Sequence, residues 1–472
     1  MTDIISIGGR KWEKSLGDEG QVVYTAMFIE KDEDVLGKFV DESSYDILVD
    51  HDADFYLPAE IGVDGSGDTS LNESRLAFKF RKNVFTEEEQ RGAFEGLYGA
   101  AVETNNRGLA AGPKDPTTGM GGARDWVTAF QSDVLNYYSK RQPATFGDGL
   151  QDIIEKHKTV KDETRGSVWL RTKVEPEFGD YKTFFPNLME RLAGLSIEEA
   201  ETYANHIKNT FISDTSYATA IWSGIAGFYG RYPRIPYGRP TAYTDHNRED
   251  FEKCYPFARK LDSEMARMVP NRYAAQKKFA DRLDKRFLIG EDTTFTTITV
   301  NTTQSDRKAR MACHRDAGSL NEGYSNLTVI TKDGKDWKGG YLVTPEVRAA
   351  INVRPGDLLL IDNMRIIHGN TPIETPDSGA ENMLRMSLVF YFREDMDKLG
   401  SFEYESLRRQ FVDDRRLNEK HELWRPYWNG VSPSMWDTEE WYDYCKTNGG
   451  EDMLNQYHPE TLKEESSLES FF

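Results

Sequence analysis

The chemistry open to this chain is concentrated in four residues. His314 and Asp316 stand two apart in CHRDAG, His368 lies in RIIHGN, and Arg385 opens RMSLVFYF. Two histidines and one carboxylate make a facial triad, a donor set that suits Fe(II) and leaves coordination positions open for a co-substrate and for O2. An arginine further on offers a planar fork that can clasp a carboxylate through two parallel hydrogen bonds. Each part is weak alone. Eight histidines in a chain rich in Asp make a chance His-x-Asp match common, and a lone distal histidine is more often a core residue than a ligand. What points to a metal centre is the order: a ligand pair at a strand end, a histidine just after a buried strand, and an arginine on a closing strand.

These positions must be held by the stretch from Thr293 to Glu394, which reads as one short strand after another. Phe295–Val300, Arg310–His314, Ser325–Thr331, Gly339–Pro345, Ala350–Val353, Leu358–Asp362 and Leu384–Phe392 are short β-branched or aromatic runs. Turn formers such as Lys332-Asp333-Gly334 and Arg354-Pro355-Gly356-Asp357 separate them. The spacing predicts a closed or two-sheet antiparallel structure. The fold class expected is α+β: a double-stranded β-helix (jelly-roll) core with helical N-terminal support and a helical C-terminal tail. Residues 1–84 are expected as an α+β extension, 85–398 as the domain that holds the centre, with its β core near 293–394, and 399–472 as the tail.

If the strand runs on through Asp316, then His314 and Asp316 project to one side. Along the last strand, period 2 puts Arg385, Ser387, Val389, Tyr391 and Arg393 on one face and Met386, Leu388, Phe390 and Phe392 on the other. The second set is wholly apolar and should face the core, so the first should line the mouth: Arg385 and Ser387 for a carboxylate, Tyr391 for a flat substrate. A core aromatic is the plainer reading of Tyr391. Arg310 is a further inward-pointing cation, with a surface position as its plainer reading.

Elsewhere the signals concern support. Phe85 followed by Thr86-Glu87-Glu88-Glu89 is a staple and capping box opening a helix to about Thr104, and Ser196-Ile197-Glu198-Glu199 opens another to about Phe211. A helix is expected from Asp125 to Lys140, and a long helical stretch from Asp245 to Phe287, broken at Pro270. The Gly/Pro-rich run Asn105–Gly122 is too long for a plain connector. In GFYGRYPRIPYGRPTAYT, Arg231, Arg234 and Arg239 could meet phosphates while Tyr229, Tyr232 and Tyr237 pack on sugars or bases. An extended arm pinned across the barrel explains the segment equally well. Asn271–Phe287 is the most basic region, which usually means a solvated helix face. The tail carries Trp424, Trp428, Trp436 and Trp441.

Composition limits the partners. A formal net charge of −20 argues against a general polyanion binder, so any nucleic-acid contact must come from local basic patches. Three widely spaced cysteines fit no zinc site and suggest a reducing compartment, with no disulfide-linked partner expected. Without an apolar leader or a run of about 18 apolar residues, a soluble intracellular protein with no membrane partner is expected.

At its chemistry-bearing residues the chain resembles the TET/JBP family, oxygenases that use Fe(II), 2-oxoglutarate and O2 to oxidise the 5-methyl group of pyrimidines in DNA. The resemblance covers roughly Phe85 to Glu394 and is sharpest in CHRDAG, WKGGYL, RPGDLLLID, HGN and RMSLVFYF, with GRPTAYT similar to the arm before the barrel. It implies that His314, Asp316 and His368 hold iron and that Arg385 and Ser387 hold 2-oxoglutarate; Arg310, read as pointing inward, is set on the same cofactor side. It places Tyr391 against a base flipped out of the duplex. Arg393, Ser319 and Arg239 are then substrate-side residues, and DNA containing a 5-methylpyrimidine is the partner. Several 5-methylcytosine oxidisers have His where this chain has Arg393, and Asn or Asp where it has Ser319. No Cys-rich zinc module is present, so a compact microbial or phage-like member is implied, not a vertebrate-type enzyme. The activity expected is 5-methylcytosine to 5-hydroxymethylcytosine, followed closely by thymine to 5-hydroxymethyluracil. The rivals are a 2-oxoglutarate-dependent hydroxylase of a protein or small molecule, towards which the acidity leans, and a non-catalytic jelly-roll binding module.

Overall fold

Apolar residues at period 2 can bury both faces of a strand at once, and the centre of this molecule is built that way. In β14 (Leu358–Ile361), Leu358 and Leu360 enter one apolar core while Leu359 and Ile361 enter another. The structure is a computed structural model. It describes residues 2–30, 35–58, 73–102, 110, 112, 221–231, 235–304, 310–332, 337–374, 384–417 and 436–456.

The remaining strands, in chain order, are β1 (Asp3–Ile7), β2 (Arg10–Leu16), β3 (Val22–Ala26), β4 (Ile47–Val49), β5 (Ala53–Tyr56), β6 (Leu76–Arg81), β7 (Ile221–Tyr229), β8 (Arg239–Pro240), β9 (Thr297–Gln304), β10 (Ser325–Thr331), β11 (Lys338–Gly339), β12 (Leu342–Thr344), β13 (Ala349–Ile351), β15 (Gly369–Asn370), β16 (Ile373–Glu374) and β17 (Leu384–Tyr391). The large sheet runs β1-β2-β3-β5-β6-β14-β10-β17-β9-β7-β8, a smaller one runs β15-β12-β13-β4, and β11 pairs with β16. One face of the large sheet is covered by helices: Phe257, Leu261 and Met265 of Tyr255–Met268 share a core with Ile298, Val300, Leu388 and Phe390. On its other face, Phe55, Phe78 and Leu359 pack with Leu342 and Ile351 of the small sheet. Each such side chain fully buried contributes about 1.5–3 kcal/mol. This is α+β architecture in layers: helices, large mixed sheet, small sheet.

Residues 1–84, expected as an extension, contribute β1, β2, β3, β5 and β6 to the large sheet and β4 to the small one. The chain divides into two compact units: residues 1–123, 216–230 and 238–402 form one, and 124–215, 231–237 and 403–472 the other. In the second, the later turns of the helix Phe402–Leu417 bring Phe411 and Val412 together with Trp441 and Cys445 of Thr438–Asn448.

Several expectations need correction. Arg310–His314 is not a strand; His314 makes only an isolated antiparallel bridge to His368. The Thr86–Glu89 capping box forms, but its helix ends at Leu97 and gives way to a 3-10 turn over Tyr98–Ala100. The stretch after Asp245 is three α-helices, Arg248–Glu252, Tyr255–Met268 and Pro270–Ala280, and a 3-10 turn over Lys285–Phe287; Pro270 takes the first helical position, where the missing N–H costs nothing. β7 was not foreseen. Gly224 and Gly227 lie in it, and a Cβ on Gly224 would fall 1.7 Å from the Ala100 carbonyl oxygen, so close approach dictates glycine where a strand former would have been legible. The helices expected over 125–140 and 196–211, Tyr232, Arg234, Trp424, Trp428 and nearly all of Asn105–Gly122 lie outside the described residues.

Candidate active site

The two histidines are brought together by backbone, not by a continuous strand. The His314 N–H donates to the His368 carbonyl at 2.9 Å and the His368 N–H to the His314 carbonyl at 3.0 Å. Gly369 permits the crossing, since a Cβ there would lie 3.0 Å from the Cys313 nitrogen. The rings are 4.5 Å apart between centroids. Each Nδ1 is hydrogen-bonded to a main-chain carbonyl, His314 to Ala312 at 2.8 Å and His368 to Ile366 at 3.1 Å. A carbonyl only accepts, so Nδ1 carries the proton and each Nε2 presents its lone pair. Those atoms lie 3.3 and 4.0 Å from Asp316 Oδ1. Donors in cis positions about 2.1 Å from one metal are roughly 3 Å apart. Burial, reinforced by His314, pulls His368 down to about 4 and keeps it neutral, the form that ligates.

Asp316 does not reach this cluster by strand alternation. Its N–H donates to the Asn363 carbonyl at 2.9 Å, and the Asn363 side-chain amide donates to its carboxylate. Asn363 is in turn held by the Ser325 hydroxyl. Sequence reasoning passed over Asn363, whose only signal is its position immediately after the buried strand LLLID. Arg315, between His314 and Asp316, points away and ties Glu346 and the Arg365 carbonyl, while Glu346 also takes the Ile367 N–H at 2.7 Å.

The cluster opens on a cavity of about 360 Å³ between the sheets. Arg385, Ser387, Val389, Tyr391 and Arg393 all line it, as alternation in β17 predicts, while Met386, Leu388 and Phe390 enter the helix-side core. Arg385 is buried, and its Nε has no hydrogen-bond partner among the described residues. Burial lowers it to about 10, with Arg354 adding repulsion, so it stays cationic at neutral pH. Its guanidinium carbon is 5.5 Å from the Trp337 ring, a neighbour not foreseen. Arg310 also lines the cavity and rests on Phe39 at 3.9 Å. Tyr391 is buried, and desolvation pushes its phenol up. Ser319 is buried beside it in the lining and bridges to Arg393. On the floor, Ser223 of the unforeseen β7 donates to Asn301 at 2.8 Å.

The basic patches fare differently. Arg231 is engaged by Glu405 at 2.7 Å and by the Tyr404 ring, and Tyr237 is buried in the second unit's core, so this part of the arm is structural. Arg239 does not line the cavity; it lies over Tyr229 at 5.0 Å. In the basic helix and the turn after it, Arg272 pairs with Asp362, Lys277 with Asp281 and Arg286 with Asp284.

Residues 231–394 match the Tet_JBP family, the oxygenase domain of the 2OGFeDO superfamily. Among curated relatives, thymine dioxygenase JBP1 of Leishmania braziliensis is 29% identical over 182 residues, covering 38% of this chain and 21% of that protein. The JBP1 of Crithidia fasciculata is 27% identical over 213 residues, 43% of this chain and 24% of the relative. The chain thus spans under a quarter of the length of these relatives. A solved structure of NgTET1 in complex with 5mC DNA aligns with TM-score 0.29 at 14% identity, covering 43% of this chain and 70% of that one.

A Tet_JBP domain is that of an oxidoreductase working with Fe(II), 2-oxoglutarate and O2, and the residues here fit those groups. Three neutral or anionic donors lie mutually within 4.8 Å, and a buried guanidinium with an unmatched donor suits a diacid. The three cysteines are free and buried. Among the described residues no helix is long and apolar enough to cross a membrane.

Proposed function

We propose that this protein is a dioxygenase that hydroxylates the 5-methyl group of a pyrimidine in DNA, and that its β core is a double-stranded β-helix. The reading rests above all on one cavity that collects His314, Asp316 and His368 together with a buried arginine whose Nε lacks a partner among the described residues. His314 and His368 through Nε2, and Asp316 through its carboxylate, would hold iron. Arg385 and Ser387 would hold the distal carboxylate of 2-oxoglutarate, with Arg310 as a further cation on that side. Iron, 2-oxoglutarate and O2 together would supply an oxidant able to take hydrogen from a methyl group, one oxygen atom of O2 ending on the methyl carbon and the other in the succinate that leaves with carbon dioxide.

The protein's part is placement. A methyl group on a stacked base cannot reach a centre inside a cavity, so the base must leave the duplex at a cost of a few kcal/mol. Tyr391 would give the extruded ring a flat partner, while Ser319 and Arg393 would meet its polar edge, and Arg239 would lie outside the cavity towards the strand. The apolar wall made by Val389, Leu327 and Ile361 would exclude water around the methyl. 5-Methylcytosine, giving 5-hydroxymethylcytosine, is the base we place first. The names of the thymine dioxygenase relatives support the second reading, thymine to 5-hydroxymethyluracil.

The test is incubation with Fe(II), 2-oxoglutarate and ascorbate on methylated and on plain duplex, followed by nucleoside mass spectrometry. Either 5-hydroxymethyl base, matched by succinate, supports the proposal and assigns the base. Succinate released with a peptide but not with DNA would move the activity to another substrate class.

A further inference from the structure

Antiparallel strands set side chains in rows, because cross-strand partners share a face of the sheet with α-carbons about 4.5–5.5 Å apart. Through β7, β9 and β17 one such row is Ile221, Thr303 and Arg385, and the next is Ser223, Asn301 and Ser387. All of them line the cavity, and Tyr391 stands further along β17. Asn301 is thus the neighbour of Ser387, at the end of the cavity that holds Arg385. It is only 7% exposed, and its amide oxygen accepts from the Ser223 hydroxyl at 2.8 Å. Since β9 lies between β17 and β7, this bond turns the oxygen towards β7. It leaves Nδ2 on the other limb of the planar amide, away from β7, on the side where Ser387 lies. That nitrogen carries two N–H donors and has no hydrogen-bond partner among the described residues. Interior amides are ordinarily matched, so an unmatched one lining a cavity points to an acceptor that enters with a ligand.

We propose that Asn301 is a further co-substrate-binding residue, its Nδ2 donating to the distal carboxylate of 2-oxoglutarate, and that Ser223 is the positioning residue that keeps the amide turned that way. A carboxylate has two oxygens with about four acceptor sites. The arginine fork takes two of them and the Ser387 hydroxyl a third. Asn301 supplies the remaining donor from the neighbouring strand. The direction of the amide matters, because its own oxygen facing the anion would repel it. With Ser223 holding that oxygen on the β7 side, only donors of this row meet the carboxylate. Such a set selects a 2-oxo diacid over a 2-oxo acid of the same length that ends in a methyl group.

The role of Asn301 rests on the reading of Arg385 and Ser387 as the seat of the diacid, and the experiment separates the two. The Fe(II)-loaded full chain is titrated without oxygen with 2-oxoglutarate and with 2-oxopentanoate, which lacks the distal carboxylate. Binding is followed by the visible band of a 2-oxo acid on iron, with melting temperature and metal affinity in parallel. Asn301→Leu should weaken 2-oxoglutarate binding about 10-fold and leave 2-oxopentanoate unchanged. Asn301→Asp, of the same size, sets a second carboxylate against the first and should weaken it further. Ser223→Ala should weaken it less, and Ser223→Thr, which keeps the hydroxyl, should restore it. If Asn301→Leu fails to fold, Asn301→Asp and Ser223→Ala carry the test. Unchanged 2-oxoglutarate affinity in Asn301→Asp, or equal losses for the two acids in Asn301→Leu, overturn the role of Asn301 and leave Arg385 and Ser387 in place. A wild type that binds the two acids equally well overturns both.

Discussion

Asn363 and Asp316 are joined twice: the Asp316 N–H donates to the Asn363 carbonyl at 2.9 Å, and the Asn363 side-chain amide donates to the Asp316 carboxylate. A candidate carboxylate ligand outside any regular strand is thus aimed by an asparagine at the end of a buried one. Replacing Asn363 with alanine should weaken Fe(II) or Co(II) binding about 10–100-fold, the usual effect of losing a residue that orients a ligand. Metal titration with circular dichroism would show it. Unchanged metal affinity would mean that the Asp316 backbone alone sets the carboxylate.

Arg385 is expected to act on co-substrate and not on metal. Arg385→Gln removes a charge-assisted contact of about 1.5–3 kcal/mol, so the 2-oxoglutarate KM should rise by about 10–100-fold with metal affinity unchanged. Arg385→Lys should rescue little, because an ammonium lacks the planar fork. Calorimetric titration of 2-oxoglutarate into the metal-loaded protein measures this directly. Normal affinity in either variant would move the diacid elsewhere.

Gly369 sits where two chain segments nearly touch. Gly369→Ala places a methyl 3.0 Å from the Cys313 nitrogen and must push the His314 and His368 backbones apart. The expected cost is about 1–3 kcal/mol of stability together with weaker metal binding. A melting curve and a metal titration that both match wild type would show that the crossing has slack.

One pH effect lies away from the metal site. Asp284 accepts from the Arg286 N–H and side chain and from the Phe402 N–H, which lowers it from 3.8 to about 2. A carboxyl held below its unfolded value stabilises the fold above that value, and the contribution disappears as pH falls through the folded one. Asp284→Asn should therefore be less stable than wild type at pH 7, with the gap closing between about pH 4 and pH 2. Denaturant melts across that range would check it, and a gap independent of pH would assign the effect to packing.

The sequence was most informative where one physical rule acts alone. Alternation in Leu384–Tyr391 sorts Arg385, Ser387 and Tyr391 into the cavity and Met386, Leu388 and Phe390 into the core, because a central strand has two faces and no other choice. The capping box at Thr86 formed for the same kind of local reason. Reading failed where partners distant in sequence decide. Arg310–His314 looks like a strand but finds only one bridging partner. Arg231 looks available but meets Glu405. In β7, close packing against Ala100 demands glycine at 224 and erases the strand signal, hiding Ser223 on the cavity floor. Tyr229 was legible as an aromatic beside arginines, but not as the ring that two of them share.

The most direct test of the account is an anaerobic titration of 2-oxoglutarate into the Fe(II)-loaded protein, followed by visible absorption, since a charge-transfer band arises only when the diacid contacts the metal. We expect a saturable one-to-one band in the wild type, no band in Asp316→Ala, and a band that needs far more 2-oxoglutarate in Arg385→Gln. Iron bound by the wild type with no band at any 2-oxoglutarate concentration, or a full band in Asp316→Ala, would contradict it.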